Sequence, residues 1–396
     1  MSSPCASAAE ASCAVVERST LVRCALQMSP LVREQLHARE AAEGRREAAR
    51  PVLPSNPVVA GSGAWRSGSG PGAQQSANWY VTVSQELELA GQRGKRLDAA
   101  DADLRSLQFR VEAARAETAA DAWAAYFRAL AAAERTRVAA RLETAAASVA
   151  TTVRAMAVNG LSSEVDADVA ETQALRASRV RLEAEADAAA LAARARALVG
   201  APPEADVTGT LEPLAVAEAA QPRPELLAVE EERGFFEARG EALGRERIPN
   251  PTLSLFVQND GFDERVLGAG LSFPIPLPQP VGRTRRGERL EAHAEAQRAG
   301  AEADRLRREH GLELVAARAA YGAATKARAL YTAERTERAA VRLEAIATQV
   351  KAGRLAVRDA LIAQAALVEQ LSGEIDVREQ LCLASVRLNR AAGVAP

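Results

Sequence analysis

Two copies of one plan stand end to end in this chain, and that repetition restricts its folds more than any other feature. Pro30 opens a helical stretch after Ser29, and Asn56-Pro57 follows 26 residues later; Pro224 opens another, and Asn250-Pro251 again follows 26 residues later. Gly94 and Gly160 stand 66 apart, as do Gly287 and Gly353. Asp166 is matched by Asp359, and Gly200 and Pro203 by Gly393 and Pro396. The displacement is 194 at the front and 193 behind, so the halves align almost without slippage. One such match arises by chance, but an ordered series marks a duplicated structural unit.

Each half reads in the same order. A helix with proline in its first turn, where the missing N–H costs nothing, covers about 31–50 and 225–245. Two strand-like segments follow, and then a proline-free stretch, 93–158 and 286–351. At about 1.5 Å per residue each stretch makes a helix on the order of 100 Å long. Turns at Asn159-Gly160-Leu161-Ser162 and Ala352-Gly353-Arg354-Leu355 reverse the chain, and a shorter helix returns to Gly200 or Gly393. Glycine there suits the left-handed residue that closes a helix. The expected organisation is a disordered tail at 1–28, a first repeat at 29–203, a linker at 204–222 and a second repeat at 223–396.

The strands alternate with a period of two, which gives a sheet one apolar and one polar face. Leu253, Leu255 and Val257 oppose Thr252, Ser254 and Gln258; Leu267, Ala269, Leu271, Phe273 and Ile275 oppose Gly268, Gly270 and Ser272. In the first half Trp79, Val81 and Val83 oppose Tyr80, Thr82 and Ser84, and the partner segment from Val58 to Trp65 is glycine-containing. A soluble sheet would cover its apolar face with bulky residues, and the helices here are alanine-rich and highly charged. Segments of 9–11 residues also suit a tilted crossing of a bilayer. Four strands cannot close a barrel and open edges are not tolerated in lipid, so a membrane sheet of this kind requires several subunits.

Composition agrees with long, closely packed helices: the chain is 48% hydrophobic but only 4% aromatic. Apolar positions Leu314, Ala317, Tyr321, Ala324, Ala327 and Tyr331 step by three or four, as in a coiled coil. A solvated coiled coil and a helical tube both fit that pattern. Fifty Lys and Arg against 52 Asp and Glu leave a net charge of −2, which points away from nucleic acid. Cys5, Cys13, Cys24 and Cys382 show neither metal spacing nor a paired framework and are expected as unpaired thiols. No stretch approaches the length of an apolar transmembrane helix. The residues after Met1 lack the charged and apolar regions of an export signal, so an exported protein would start upstream.

At these residues the chain resembles the TolC-like outer-membrane efflux proteins, and more loosely their heavy-metal (CzcC-like) branch. The resemblance is carried by Pro30-Leu31-Val32 and Pro224-Glu225-Leu226 opening a helix, and by Asn56-Pro57 and Asn250-Pro251 opening a strand. Ser272-Phe273-Pro274-Ile275-Pro276, Gly282-Arg283 and Gly353 with Asp359-Ala360-Leu361 complete it. It implies a mainly α fold with a small β part: a homotrimer whose twelve-stranded barrel in the outer membrane continues as a periplasmic α-helical barrel. It implies a passive exit duct of a tripartite efflux or type I secretion system, with outer-membrane lipid, a periplasmic adaptor and an inner-membrane pump as partners. Trp79, Val81, Val83, Leu253, Leu255, Val257, Leu267, Leu271 and Phe273 are then lipid-facing. Gly160, Leu161, Gly353, Arg354 and Leu355 are the adaptor-contact tips, and Asp166, Asp168 and Asp359 are candidate aperture acids, although each taken singly reads first as a solvated helix-capping carboxylate.

Nothing in the residues calls for an enzyme, a cofactor or a metal. His37, His293 and His310 are scattered along helices without pairing. Arg283, Arg285 and Arg286 fit either anchors at the barrel edge or a solvated helix start, and isolated charges such as Glu171 are what any charged helix provides. The competing reading is a soluble coiled-coil scaffold or adaptor with a small sheet.

Overall fold

The computed structural model describes residues 13–67, 69, 71, 75–259, 264–275, 277 and 285–395. Cys5, Pro276, Gly282, Arg283 and Pro396, named above, lie outside the described residues. In chain order the elements are α1 (Leu21–Met28), α2 (Pro30–Ala49), β1 (Val58–Arg66), β2 (Ser76–Glu86), α3 (Gln92–Val158), α4 (Glu164–Val199), α5 (Pro224–Arg245), β3 (Thr252–Asn259), β4 (Arg265–Ser272), α6 (Arg286–Ala329), α7 (Ala333–Lys351) and α8 (Val357–Ala391). Val58 and Thr252 open their strands 194 residues apart, the displacement read from the prolines.

The duplication extends to hydrogen bonds. After α3, Leu161 N–H bonds Met156 C=O at 2.8 Å and Gly160 N–H bonds Ala157 C=O at 2.9 Å. After α7, Arg354 N–H bonds Gln349 C=O at 3.0 Å and Gly353 N–H bonds Val350 C=O at 2.9 Å. Gly200 with Ala201 and Gly393 with Val394 close α4 and α8 by the same pair of bonds. These are four Schellman closures, each with its glycine at a φ between 68° and 75°.

Two compact units divide the chain. One comprises residues 35–111 and 224–307 and holds the sheet. Its strands are all antiparallel in the order β1-β2-β3-β4. Its helices meet through alanines: Ala99, Ala102, Ala292, Ala296, Ala299 and Ala303 are buried, and Ser106 Oγ donates to the Ala228 carbonyl at 2.8 Å. Small side chains let these backbones approach closely, which explains why so alanine-rich a sequence still forms a core.

The other unit comprises residues up to 34, 112–223 and 308–396. One core surrounds Trp123, Tyr126 and Phe127 with Leu21, Leu130, Leu211, Leu214, Ile375 and Val386. A second gathers Val149, Val153, Leu343, Ile346, Val350, Ala360 and Leu371 near the turns.

Three expectations are corrected in this unit. Residues 13–28 are folded, not part of a disordered tail. Val16 bridges Val207, Arg18 donates to the carbonyls of Glu212 and Pro213 at 3.1 and 3.2 Å, and Leu21, Cys24 and Ala25 are buried. Cys13 and Cys24 form a disulfide instead of standing as free thiols; among the described residues Cys382 is the free cysteine, and burial pushes its thiol up to about 12. The second long helix is broken: α6 ends at Ala329, and Thr332 turns extended and caps α7, its side chain accepting from Arg335 N–H. Val138 and Ala139, 193 residues earlier, offer no such cap, and α3 runs through.

Candidate functional site

Strand register decides which side chains share a face. Val81 lies opposite Val257, which lies opposite Leu267; Val83 lies opposite Leu255, and Leu253 opposite Leu271. Trp79, two residues before Val81, belongs to the same face, and Phe273 lies one residue past the end of β4. The second face carries Tyr80, Thr82, Ser84, Thr252, Ser254, Phe256, Gln258, Gly268 and Gly270.

Exposure runs against the rule for a soluble sheet. In β2 and β3 the aliphatic positions are exposed and the polar positions between them are half-buried. Val81 is 41% exposed, Leu255 57% and Leu267 80%. Contiguous exposed apolar surface of this kind marks a lipid or protein contact. The outer edges of β1 and β4 pair with no strand among the described residues.

On the half-buried face hydroxyls bond to strand carbonyls, while Asn78 Oδ1 is buried without a partner among the described residues. Thr82 Oγ1 donates to the Leu255 carbonyl at 3.1 Å and Ser254 Oγ to the Gly270 carbonyl at 3.2 Å. Phe256 breaks the alternation by standing among the polar residues. Its ring lies over Gly268, where an added Cβ would come within 2.3 Å, and Tyr80 packs beside it with centroids 5.8 Å apart.

At the turns, Gly160 and Gly353 face open space and Leu161 is 72% exposed, whereas Leu355 packs against the core beneath. The three acids have different surroundings. Asp166 belongs to a capping box: its N–H donates to Ser163 Oγ at 3.0 Å, and its carboxylate accepts from the Ser163 hydroxyl at 2.7 Å. Hydrogen bonding by Ser163 holds this carboxyl below the usual carboxylate range. Asp168 is bound to Arg154 at 2.7 Å. Asp359 stands third in α8, as Asp166 does in α4, but its carboxylate has no partner among the described residues.

Arg154 is the residue that sequence reasoning missed. It stands on α3 and reaches across the turn to Glu164, Asp168 and Glu171 on α4, each at 2.7 Å. The spacing of those acids by three and four residues was the available signal, because it sets all three on one helix face. Among the described residues no group of three or more His, Cys, Asp or Glu could hold a metal, and no helix is long and apolar enough to cross a membrane.

Residues 21–201 match the family described as outer membrane efflux protein. The first repeat is thus similar to that family. Solved structures extend the likeness in fold to both repeats. The outer-membrane channel OprN is 18% identical with a TM-score of 0.76, over 97% of this chain and 95% of that one. The outer membrane protein VceC from Vibrio cholerae is 18% identical with a TM-score of 0.75, over 95% and 96%. CusC is 14% identical with a TM-score of 0.73, over 95% and 92%. No curated protein matches the chain in sequence. The fold of the chain is that of these outer-membrane channels.

Proposed function

We propose that three copies of this protein close a twelve-stranded barrel in the outer membrane and serve as the passive exit duct of a tripartite efflux or secretion system. The observation that carries this reading is the inverted sheet, with its aliphatic face exposed, its polar face half-buried and both edges open. Trp79, Val81, Val83, Leu253, Leu255, Val257, Leu267, Leu271 and Phe273 meet lipid, and the face of Tyr80, Thr82 and Ser254 lines the passage. Closing the sheet around an axis with other copies removes the edges that lipid does not tolerate. A disulfide at Cys13–Cys24 suits an oxidising compartment such as the periplasm.

The turns at Gly160-Leu161 and Gly353-Arg354-Leu355 contact a periplasmic adaptor, which couples the duct to an inner-membrane pump. Among the acids, Asp166 is committed to Ser163 and Asp168 to Arg154, so the closable aperture falls to Asp359. The heavy-metal branch is a finer reading carried by the resemblance alone, and the metal tolerance of a deletion strain tests it. Fractionation of the exported protein tests the main reading: a detergent-requiring trimer in the outer membrane is expected. Recovery as a soluble monomer would instead establish the coiled-coil scaffold.

A further inference from the structure

At the foot of the sheet, where β2 ends, β3 begins and the chain leaves β4, the sheet-bearing unit holds a cavity of about 520 Å³. Polar bonds fix its floor. Asn250 Nδ2 donates to Glu86 Oε1 at 2.8 Å, and Gln92 Nε2 donates to Asn250 Oδ1 at 2.7 Å. The asparagine of the recurring Asn-Pro pair thus ties the start of β3 to the end of β2 and to the first turn of α3.

Glu88 stands in the wall of this cavity with its side chain only 7% exposed. Its Oε1 pairs with Arg96 at 2.6 Å, and its Oε2 is buried with no partner among the described residues. A buried carboxylate oxygen without a partner costs free energy that a bound donor recovers. A divalent cation needs several oxygen ligands, and among the described residues no group of three acids could hold a metal. Asn250 and Arg96 already occupy one oxygen each of Glu86 and Glu88. The partner that fits the remaining oxygen is a compact cationic N–H donor.

The rest of the lining narrows the choice. Arg247 is exposed and makes no ion pair or side-chain hydrogen bond among the described residues, whereas Arg285 is taken up by Glu246 at 3.2 Å and Glu288 at 2.7 Å. Ile248, Ile275 and Leu277 add exposed apolar surface, and Ile275 follows Phe273 out of β4. A buried acceptor, a free guanidinium and an apolar wall together match a molecule with an ammonium, a phosphate and a hydrocarbon chain. We propose that this cavity binds the head group of an aminophospholipid, with its ammonium donating to Glu88 Oε2, its phosphate on Arg247 and its acyl chains along Ile248 and Ile275. The inference rests on the duct reading, which sets the foot of the sheet at the level of the lipid head groups. A primary ammonium offers three N–H donors and a trimethylated one offers none. The site therefore separates head groups of equal charge by hydrogen bonding.

The test uses the full chain, exported, extracted in detergent and mixed with equal amounts of phosphatidylethanolamine and phosphatidylcholine bearing the same acyl chains. Lipid retained on the protein is counted by native mass spectrometry. Wild type should retain phosphatidylethanolamine about tenfold over phosphatidylcholine, a comparison that needs no variant to fold. Glu88→Gln keeps an oxygen for Arg96 but turns an amide N–H toward the ligand, and it should erase that preference. Arg247→Gln, at an exposed position, should weaken retention of both lipids alike. A wild-type trimer that retains neither lipid or both equally, or a preference that survives Glu88→Gln, overturns the site and leaves the duct standing. A soluble monomer that holds neither lipid overturns both.

Discussion

Val81→Arg separates a lipid-facing sheet from a solvated one. β2 has 11 residues and Val81 is its central one. At about 3.4 Å per residue the strand is roughly 37 Å long, and a tilt of about 40° leaves a height of ~28 Å, close to an apolar band of about 25 Å with its margins. On the proposed reading Val81, in the inner pair of strands between Gly61 and Val257, sits near the midplane. An arginine on the lipid face at that depth costs about 2–4 kcal/mol per subunit. The same change on a water-exposed surface stays within about 0.5 kcal/mol. The assay is refolding into phospholipid vesicles across a urea series, followed by tryptophan emission. A control arginine at Gln258, on the opposite face between Tyr80 and Val266, should shift the midpoint far less. Equal, small shifts for both variants would refute the assignment of faces.

The turn, the disulfide and the linker give three further tests. Ser163 depresses the Asp166 carboxyl, so its contribution to the start of α4 is present above the ordinary carboxylate range and is lost as pH falls through the lowered value. Hydrogen exchange around 163–170 should accordingly differ between wild type and Asp166→Asn near neutrality, with the difference vanishing in acid. Cys13→Ser removes a link across 11 residues, and loop-closure entropy puts the loss at about 3 kcal/mol; thermal denaturation should show this, and a reductant should affect only the wild type. Tyr126→Phe deletes the 2.7 Å bond to the Thr208 carbonyl at a cost of about 1 kcal/mol. Gly209→Ala should cost more by denaturant titration, because its Cβ would stand 1.8 Å from Tyr126 Oη on a backbone with φ of 145°.

The plan of the fold was legible because the duplication and the period-two strands are written in consecutive residues. Prolines and glycines marked starts and turns to within a residue or two, as at Pro224 and Gly353. What stayed hidden depends on contacts distant in sequence. Cys13 and Cys24 carry no motif, and their pairing follows from Val16 docking on Val207, which no local pattern announces. Leu330, Tyr331 and Thr332 suit a helix about as well as their neighbours do; the break is visible only where Tyr331 covers Gly373 and Thr332 caps α7. Phe256 looked like part of an apolar run until the register set it among hydroxyls. At the turns, sequence supplied the acids but not Arg154, so it could not separate the bound Asp166 and Asp168 from Asp359, which has no partner among the described residues.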